Sequence, residues 1–359
     1  MSPRDMDPGR APPAPAGFSI VMPVWNKAPF LAATLAAALA QEWRAFELIA
    51  VDDGSTDGSL DILRRERDPR LRIIAQANAG PGAARNAGIE AARHAWIALL
   101  DADDLWLPGH LSELDRIRAL HPDAGLIGTS YTMARQGRLP RPDPGRPGRI
   151  GRIDFLAAAA GGDPGFITSS CAIHRRVYED LGGFGPSLIA EDTEYWVRIA
   201  LRWPMAASTR RTVVYLIETG GITDRIAHRP RAEPPAEASD LSPAAALLVA
   251  RRSALPGTER VIDAFIGAQI QGSARVAARI ADVETLRGLR AFAPRPRSAV
   301  DRLIFAIAGL PRPIARAACR IGFPLWQATA PLRRWRWRRI PRLLPQPGMD
   351  PPGRFADQS

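Results

Sequence analysis

Short apolar runs alternate with amphipathic segments through residues 18–100, a pattern typical of βαβ units around a parallel sheet. The apolar runs predict strands, and the segments with helical spacing between them predict helices. The predicted strands are 18–24, 47–51, 71–75, 96–100, 125–130, 167–174 and 213–217, and the predicted helices are 29–40, 59–67 and 82–93. The pattern therefore predicts an α/β fold with a mostly parallel sheet flanked by helices.

The chain changes character along its length. Residues 1–17, rich in Pro and Ala, predict a disordered leader, and 18–224 carry the α/β pattern. Within them, 138–151 predicts an exposed loop. Residues 225–243 predict a linker, 244–342 a helical region rich in Arg and Trp, and 343–359 a disordered tail. Two or three of these helices are predicted within 244–292.

Composition predicts a globular protein without a disulfide framework. The chain has 359 residues, 46% of them hydrophobic, and its two cysteines are far apart, which favours a reducing compartment. No apolar stretch is long enough to predict a membrane span. Of its 48 basic residues only Lys27 is a lysine, which we attribute to a GC-rich coding bias. We expect a cytoplasmic protein.

Polar and glycine-rich loops follow the first four predicted strands, and parallel strands end at one sheet edge, where ligands bind. After the first strand, Trp25 and Asn26 suit a base or ribose. After the second, Asp53 can accept from a base N–H while Gly54 permits a sharp turn. The segment 78–88 offers small residues, a helix N-terminus and Arg85, which suits a diphosphate.

Three residues of these loops also have a purely structural interpretation. Asp52 and Ser55 can be turn or cap residues, and Arg85 can lie on a solvated helix face. Because all four loops share one edge, however, their concentration there favours a ligand site.

Asp101, Asp103 and Asp104 follow the buried strand predicted at 96–100. Like charges this close raise one another's pKa, and Mg²⁺ or Mn²⁺ with a phosphate is the usual remedy. The alternative is that Asp101 caps a turn and the other two are solvated loop acids. The three residues thus suggest a divalent metal and a phosphorylated substrate.

Five motifs in order resemble those of glycosyltransferase family 2, whose members have the GT-A nucleotide-sugar fold. They are VMPVWN at 21–26, VDDGSTDGS at 51–59, NAGPGAARNAG at 78–88, LLDADD at 99–104 and LGGFGPSLIAEDTEYWVRIA at 181–200. The resemblance covers roughly residues 18–220. The glycine motifs of dinucleotide enzymes and P-loop proteins are absent from the sequence.

The resemblance implies roles for individual residues. Asp103 would ligate a divalent metal, with Asp101 a ligand or ribose partner, and Asp192 would be the catalytic base supported by Glu191. Without the family resemblance, Glu191 and Asp192 can be explained simply as acidic residues at the start of a helix. The residues implied to contact the nucleotide sugar are Pro23, Val24, Trp25, Asn26, Asp52, Asp53, Gly54, Ser55, Gly80, Arg85, Asn86, Asp101 and Ala102.

The implied activity is metal-dependent inverting transfer of one sugar from a nucleotide diphosphate sugar to a glycan or lipid-linked acceptor, in bacterial surface polysaccharide synthesis. Processive members carry a QxxRW motif and membrane spans, and neither occurs in this sequence. Two alternatives remain open. One is a sugar-phosphate nucleotidyltransferase, and the other is a degenerate, non-catalytic binding protein associated with a membrane.

The basic charge is concentrated at the C-terminal end. Residues 1–224 carry 25 basic and 27 acidic residues, whereas 225–359 carry 23 and 10. Within 331–340, Arg alternates with Trp, a combination that suits an anionic membrane surface. A solvated tail is the alternative, and nucleic acid is not expected because no binding module accompanies the run. Such a protein would lie on the cytoplasmic face of the inner membrane.

Overall fold

The computed structural model describes residues 17–135, 148–162, 164–188, 190–217, 219, 241–292 and 299–328. Within these ranges, nine strands form one sheet and twelve α-helices accompany it. The strands are β1 (Phe18–Val24), β2 (Phe46–Asp53), β3 (Leu71–Gln76), β4 (Trp96–Leu99), β5 (Leu105–Trp106), β6 (Leu126–Arg135), β7 (Ile150–Arg152), β8 (Cys171–His174) and β9 (Met205–Ile217). The helices are α1 (Ala28–Leu39), α2 (Ser59–Arg65), α3 (Pro81–Ala91), α4 (His110–Leu120), α5 (Phe155–Ala160), α6 (Arg175–Leu181), α7 (Glu191–Arg202), α8 (Pro243–Arg251), α9 (Glu259–Arg279), α10 (Val283–Ala291), α11 (Ala299–Ala308) and α12 (Arg312–Ala328).

The sheet runs in the order β3-β2-β1-β4-β8-β6-β9-β5, with β7 also paired to β9. Its long ladders are parallel: β1 with β2 and β4, β2 with β3, and β6 with β9. The short ladders made by β5, β7 and β8 are antiparallel. The predicted α/β class with a mostly parallel sheet is confirmed, and β1, β2 and β4 end at one edge, as parallel strands must.

The central strand β1 is buried on both faces, which is why its sequence is apolar almost throughout. Helix α3 lies close against it at Gly88, where a Cβ atom would come within 2.4 Å of Val21 Cγ1. A side chain at this position would therefore push α3 away from the sheet. This close contact holds α3, which carries Arg85, against the sheet.

Several predicted boundaries differ from the structure: β9 begins at Met205, well before the predicted strand 213–217, and β6 extends to Arg135, beyond the predicted 125–130. The segment 167–174 was predicted as one strand, but Thr168–Ser170 is a 3₁₀ turn and β8 begins at Cys171. Ser170 Oγ accepts the backbone N–H of Ile167 over 2.9 Å, and such local bonds favour a turn over a strand. The predicted loop 138–151 ends in a strand, because β7 begins at Ile150.

Helices α8, α9 and α10 confirm the prediction of two or three helices within 244–292. Their apolar side chains join the core beneath the sheet: Phe265 of α9 belongs to the same buried cluster as Phe155 of α5 and Trp196 of α7. The division of the chain into domains stays a prediction. Residues 1–16 of the predicted leader, most of the linker, the Arg/Trp run at 331–340 and the tail lie outside the described residues. Among the described helices, none has the length and apolarity to cross a membrane.

Candidate active site

The loops after β1 and β2 are bonded to each other at the sheet edge. Asn26 adopts a left-handed backbone conformation, with φ of 52°, and its Oδ1 accepts the backbone N–H of Thr56 over 2.8 Å. Its own N–H donates to Ser55 Oγ over 3.1 Å. Asn26 and Ser55 thus hold the two loops together. Beside them, Pro23 and Trp25 are partly exposed, whereas Val24 is fully buried in the core.

Asp53 holds the loop after β3 against the end of β2. Its Oδ1 accepts from Gln76 Nε2 over 2.8 Å and from the N–H of Ala79 over 2.9 Å, and Oδ2 accepts the N–H of Gly80 over 2.9 Å. Gly80, with φ of 91°, leads directly into α3. The side chain is almost fully buried, so Asp53 shapes the loop. Only one of these donors reaches Oδ2, which leaves that oxygen able to accept from a base.

The neighbouring carboxylate of Asp52 is less well satisfied. Its Oδ2 accepts the N–H of Ser55 over 3.3 Å, as a turn residue would. Its Oδ1 is buried and has no hydrogen-bond partner among the described residues. Gly54 follows with φ of 73°, and a Cβ there would come within 2.9 Å of Asn78 N. The turn therefore requires glycine at this position.

The three acids after β4 have different surroundings. Asp101 is the most open, with 30% of its side chain exposed, and Asp103 has 14% exposed. Asp103 Oδ2 accepts from Thr219 Oγ1 over 2.6 Å and forms an ion pair with Lys27 Nζ. Ala102, between them, is buried, and its carbonyl oxygen accepts from Thr34 Oγ1 over 3.1 Å.

Asp104 is instead a buried structural acid. Its Oδ1 accepts the N–H of Leu216 of β9 over 3.0 Å, and its Oδ2 accepts from Ser169 Oγ. Burial and the charges of Asp101 and Asp103 raise the pKa of Asp104 well above its usual value. Asp104 therefore ties the acidic segment to β9.

Arg85 joins the acidic segment to the start of α7. The guanidinium is buried, and its Nη2 donates to Asp101 Oδ1 over 2.7 Å while Nη1 donates to Glu191 Oε1 over 2.6 Å. Burial lowers the pKa of Arg85, but Asp101 and Glu191 raise it by more, so the group stays charged. A diphosphate contact by Arg85 would have to replace one of these bonds. The alternative prediction, that Arg85 lies on a solvated helix face, is wrong, because only 5% of Arg85 is exposed.

Glu191 and Asp192 begin α7, directly after Ala190 in a left-handed conformation with φ of 54°. Burial raises the pKa of Glu191, opposed by Arg85. Asp192 is partly exposed, and its Oδ2 accepts from Thr168 Oγ1 over 2.8 Å. Asp192 therefore combines access with a fixed orientation, which a carboxylate acting as a base requires.

Asn86, the residue after Arg85, fixes the loop that leads to α7. Its Nδ2 donates to the carbonyl oxygen of Phe184 over 3.0 Å, and the N–H of Phe184 donates to its Oδ1 over 2.8 Å. The paired bonds hold α3 and this loop together, and they use both ends of the side-chain amide. Asn86 therefore supports the site through the backbone of Phe184.

The site also contains residues that lie outside the five sequence motifs. Ser169 accepts the N–H of Asp101 over 3.0 Å, and its carbonyl oxygen accepts from Trp106 Nε1 over 2.6 Å. Thr168 and Ser169, adjacent in one turn, thus contact Asp192 and the acidic segment respectively. Lys27 stands out in the sequence as the sole lysine, but the sequence does not reveal its ion pair with Asp103, which forms only in the tertiary fold.

A divalent metal fits the acids at this edge. No group of three or more His, Cys, Asp or Glu side chains that could hold a metal occurs among the described residues. The described contacts use Oδ1 of Asp101 and Oδ2 of Asp103, so each carboxylate keeps a second oxygen for a cation. One or two carboxylates completed by substrate phosphates are a usual Mg²⁺ site, and the donor set here matches it.

The chain is similar to a glycosyltransferase family model and to curated bacterial proteins. A family model described as Glycosyl transferase family 2 matches residues 19–182. The succinoglycan biosynthesis protein ExoO of Rhizobium meliloti is 43% identical over 116 residues, which are 32% of this chain and 32% of ExoO. ExoU of the same organism, also a succinoglycan biosynthesis protein, is 31% identical over 196 residues, 52% of this chain and 57% of ExoU. The chain thus spans under two thirds of either relative.

Two solved structures share the fold. TarS 1–349 of S. aureus, in complex with UDP-GlcNAc, has a TM-score of 0.58 and 16% identity, covering 85% of this chain and 92% of that one. The mannosyltransferase PcManGT of Pyrobaculum calidifontis, in complex with GDP-Man and Mn²⁺, has a TM-score of 0.56 and 20% identity, covering 89% and 82%. These similarities confirm the fold expected from the sequence.

Proposed function

Because residues 19–182 match the family model of glycosyltransferase family 2, we propose that the chain transfers a single sugar from a nucleotide diphosphate sugar with inversion at the anomeric carbon. The observation that supports this proposal most directly is that Arg85 forms ion pairs with both Asp101 and Glu191. It connects the acids suited to the leaving group with the helix that presents Asp192. The two parts of a transfer site are thereby held as one unit.

The proposed reaction is a direct displacement. Asp192 accepts the proton of an acceptor hydroxyl as that oxygen forms a bond to the anomeric carbon, and the bond from that carbon to the diphosphate oxygen breaks. The electron pair leaves with the nucleoside diphosphate on the opposite face. Thr168 keeps Asp192 oriented during this step, because its hydroxyl donates to the carboxylate. Glu191 acts through Arg85 as a supporting acid.

Asp101 and Asp103 would hold a divalent metal, Mn²⁺ or Mg²⁺. When bound, such an ion supplies positive charge for the departing diphosphate. The support is the free oxygen on each carboxylate and the Mn²⁺ in the structure of PcManGT, a neighbour in fold.

The nucleotide would lie over the loops that follow β1, β2 and β3. Asp53 Oδ2, with its single donor, suits a base N–H, and the partly exposed Pro23 and Trp25 suit the flat face of a base. UDP-GlcNAc and GDP-Man in the neighbouring structures support a nucleotide-sugar donor without selecting the base. ExoO and ExoU support a polysaccharide setting with a glycan or lipid-linked acceptor.

We also propose that the chain associates with the cytoplasmic face of the inner membrane. Leu303 of α11 and Ile314 of α12 are 60% and 53% exposed, and Arg302, Arg316 and Arg320 are exposed on the same two helices. Apolar side chains among cations suit an anionic lipid surface. The Arg/Trp run at 331–340 adds to this composition. Loss of binding to anionic vesicles in a Leu303→Ser/Ile314→Ser variant, with Leu120→Ser as the exposed control, would support it.

The decisive experiment incubates the full chain with UDP-, GDP- and dTDP-sugars, Mn²⁺ or Mg²⁺ and candidate acceptors. We expect the release of one nucleoside diphosphate for each molecule of glycosylated acceptor, with the configuration at the anomeric carbon inverted. Pyrophosphate released from a nucleoside triphosphate would instead indicate a nucleotidyltransferase. If calorimetry detects no nucleotide or metal binding, the protein is a non-catalytic binder and the proposal is wrong.

A further inference from the structure

Lys27 is the single lysine of a chain that carries 48 basic residues. It lies at the end of the β1 loop, immediately before α1. Its backbone N–H donates to Ser59 Oγ over 2.9 Å, which fixes the main chain between two site loops. The side chain reaches the acidic segment and pairs with Asp103 Oδ2. A coding bias toward arginine does not explain why the one exception lies here.

The ion pair occupies the carboxylate that we propose as the metal ligand. Both side chains are largely covered, with 17% of Lys27 and 14% of Asp103 exposed. Thr219 Oγ1 donates to the same Asp103 oxygen over 2.6 Å. A divalent ion on Asp103 would therefore bring two like-charged cations to one carboxylate, and repulsion at such distances favours separation.

Lysine is suited to such a separation and arginine is not. An ammonium on a four-carbon stem is a compact charge whose donors can turn to a new partner, whereas a guanidinium prefers a fixed, two-pronged contact with one carboxylate. Arg85 is likewise held in a fixed position, although its two nitrogens contact different carboxylates, those of Asp101 and Glu191. At this sheet edge, the new anion that donor binding would bring is the diphosphate.

We propose that Lys27 exchanges partners: it neutralises Asp103 in the free enzyme and moves to the diphosphate when the nucleotide sugar binds. The inference rests on the proposed function. It identifies Lys27, which belongs to none of the sequence motifs, as a cation that binds the diphosphate of the donor. Lys27 then stabilises the negative charge of the leaving group, while Asp103 is released for the metal. Because of this exchange, binding of the donor should raise the affinity for the metal, and binding of the metal should raise the affinity for the donor.

The single lysine allows a direct test. Reductive ¹³C-methylation of the untagged chain labels only Lys27 and the α-amino group, and the Lys27→Arg variant identifies the lysine signal. With Mg²⁺ and UDP or GDP, we expect the Lys27 signal to shift, and with Mn²⁺ in place of Mg²⁺ we expect it to broaden. A signal that stays unchanged while calorimetry shows the nucleotide bound would overturn the exchange but leave the proposed function standing.

Affinities of Lys27→Gln provide an independent measurement with a signature that a structural defect would not give. Without the ammonium, Mn²⁺ alone should bind more tightly, because Asp103 is no longer shared. UDP or GDP should bind about tenfold more weakly, whereas uridine or guanosine should bind as before. Arg64→Gln, at an exposed position on α2, is the matched control. Changes of both affinities in the same direction would contradict the exchange, and absence of all nucleotide binding would refute the proposed function with it.

Discussion

The hydroxyl of Thr168 donates to Oδ2 of Asp192 over 2.8 Å, although the two residues lie on different elements. Because the hydroxyl fixes one oxygen of the carboxylate, Thr168→Val should lower the turnover number about 10- to 100-fold with donor affinity unchanged. Thr168→Ser, which keeps the hydroxyl, should retain most activity. Steady-state kinetics and calorimetry measure the two quantities. Full activity in the valine variant would show that Asp192 needs no such partner.

The two acids with distinct proposed tasks should separate donor binding from transfer. Asp192→Asn removes the base, so we expect a loss of about 10²- to 10⁴-fold in turnover with nucleotide affinity retained. Asp103→Asn should instead lose metal-dependent nucleotide binding, which calorimetry with and without Mn²⁺ measures. If both variants lose nucleotide binding equally, the proposed division of roles is wrong.

Much of the fold could be predicted from the sequence, because the strands β1 to β4 are predominantly apolar and the loops after them carry the polar motifs. The turn at Thr168–Ser170 could not, since its residues fit a strand pattern and the turn is closed by backbone and side-chain hydrogen bonds of Ser170 to Ile167. Arg85 illustrates the same limit in the site. Its partner Glu191 is 106 positions away, and no local pattern reveals that distant a pairing.

Lys27 shows that composition can carry information that spacing does not. Its being the sole lysine was visible in the sequence, but only the fold brings it to Asp103. Asp53 and Asn86 were expected to contact the nucleotide sugar, and the structure shows a further, structural role for each. Both use their side chains to shape loops around the site, which sequence motifs do not distinguish from direct contact with a ligand.

Removal of the Arg85 guanidinium should be strongly destabilising. Arg85→Ala leaves the carboxylates of Asp101 and Glu191 without their shared cation, and breaking a buried pair in this way costs about 3–5 kcal/mol. Denaturant unfolding measures the change. Arg85→Ala combined with Glu191→Gln should recover part of the stability, because one of the uncompensated charges is gone. Additive losses in the double variant would contradict the coupling.

Asp53 is expected to order the loop after β3 as well as to contact the nucleotide. Asp53→Asn replaces one acceptor oxygen by an amino group, so one of the backbone donors Ala79 and Gly80 loses its partner. We expect a loss of about 1–3 kcal/mol in stability and weaker nucleotide binding. Hydrogen exchange should accelerate at these two amides. Unchanged exchange there would show that the loop is ordered by other contacts.

His110 should make the stability of the protein dependent on pH. Burial lowers its pKa to about 3, and its Nδ1 lies 2.7 Å from Thr212 Oγ1. The unfolded chain takes up a proton near the ordinary histidine pKa of 6.5, whereas the folded chain does so only near 3, so the neutral ring supports stability above 6.5 and this support is lost as pH falls. Relative to His110→Gln, the wild type should lose about 1.4 kcal/mol per pH unit within this window in urea unfolding. Parallel pH profiles for the two proteins would show that His110 titrates normally in the folded state.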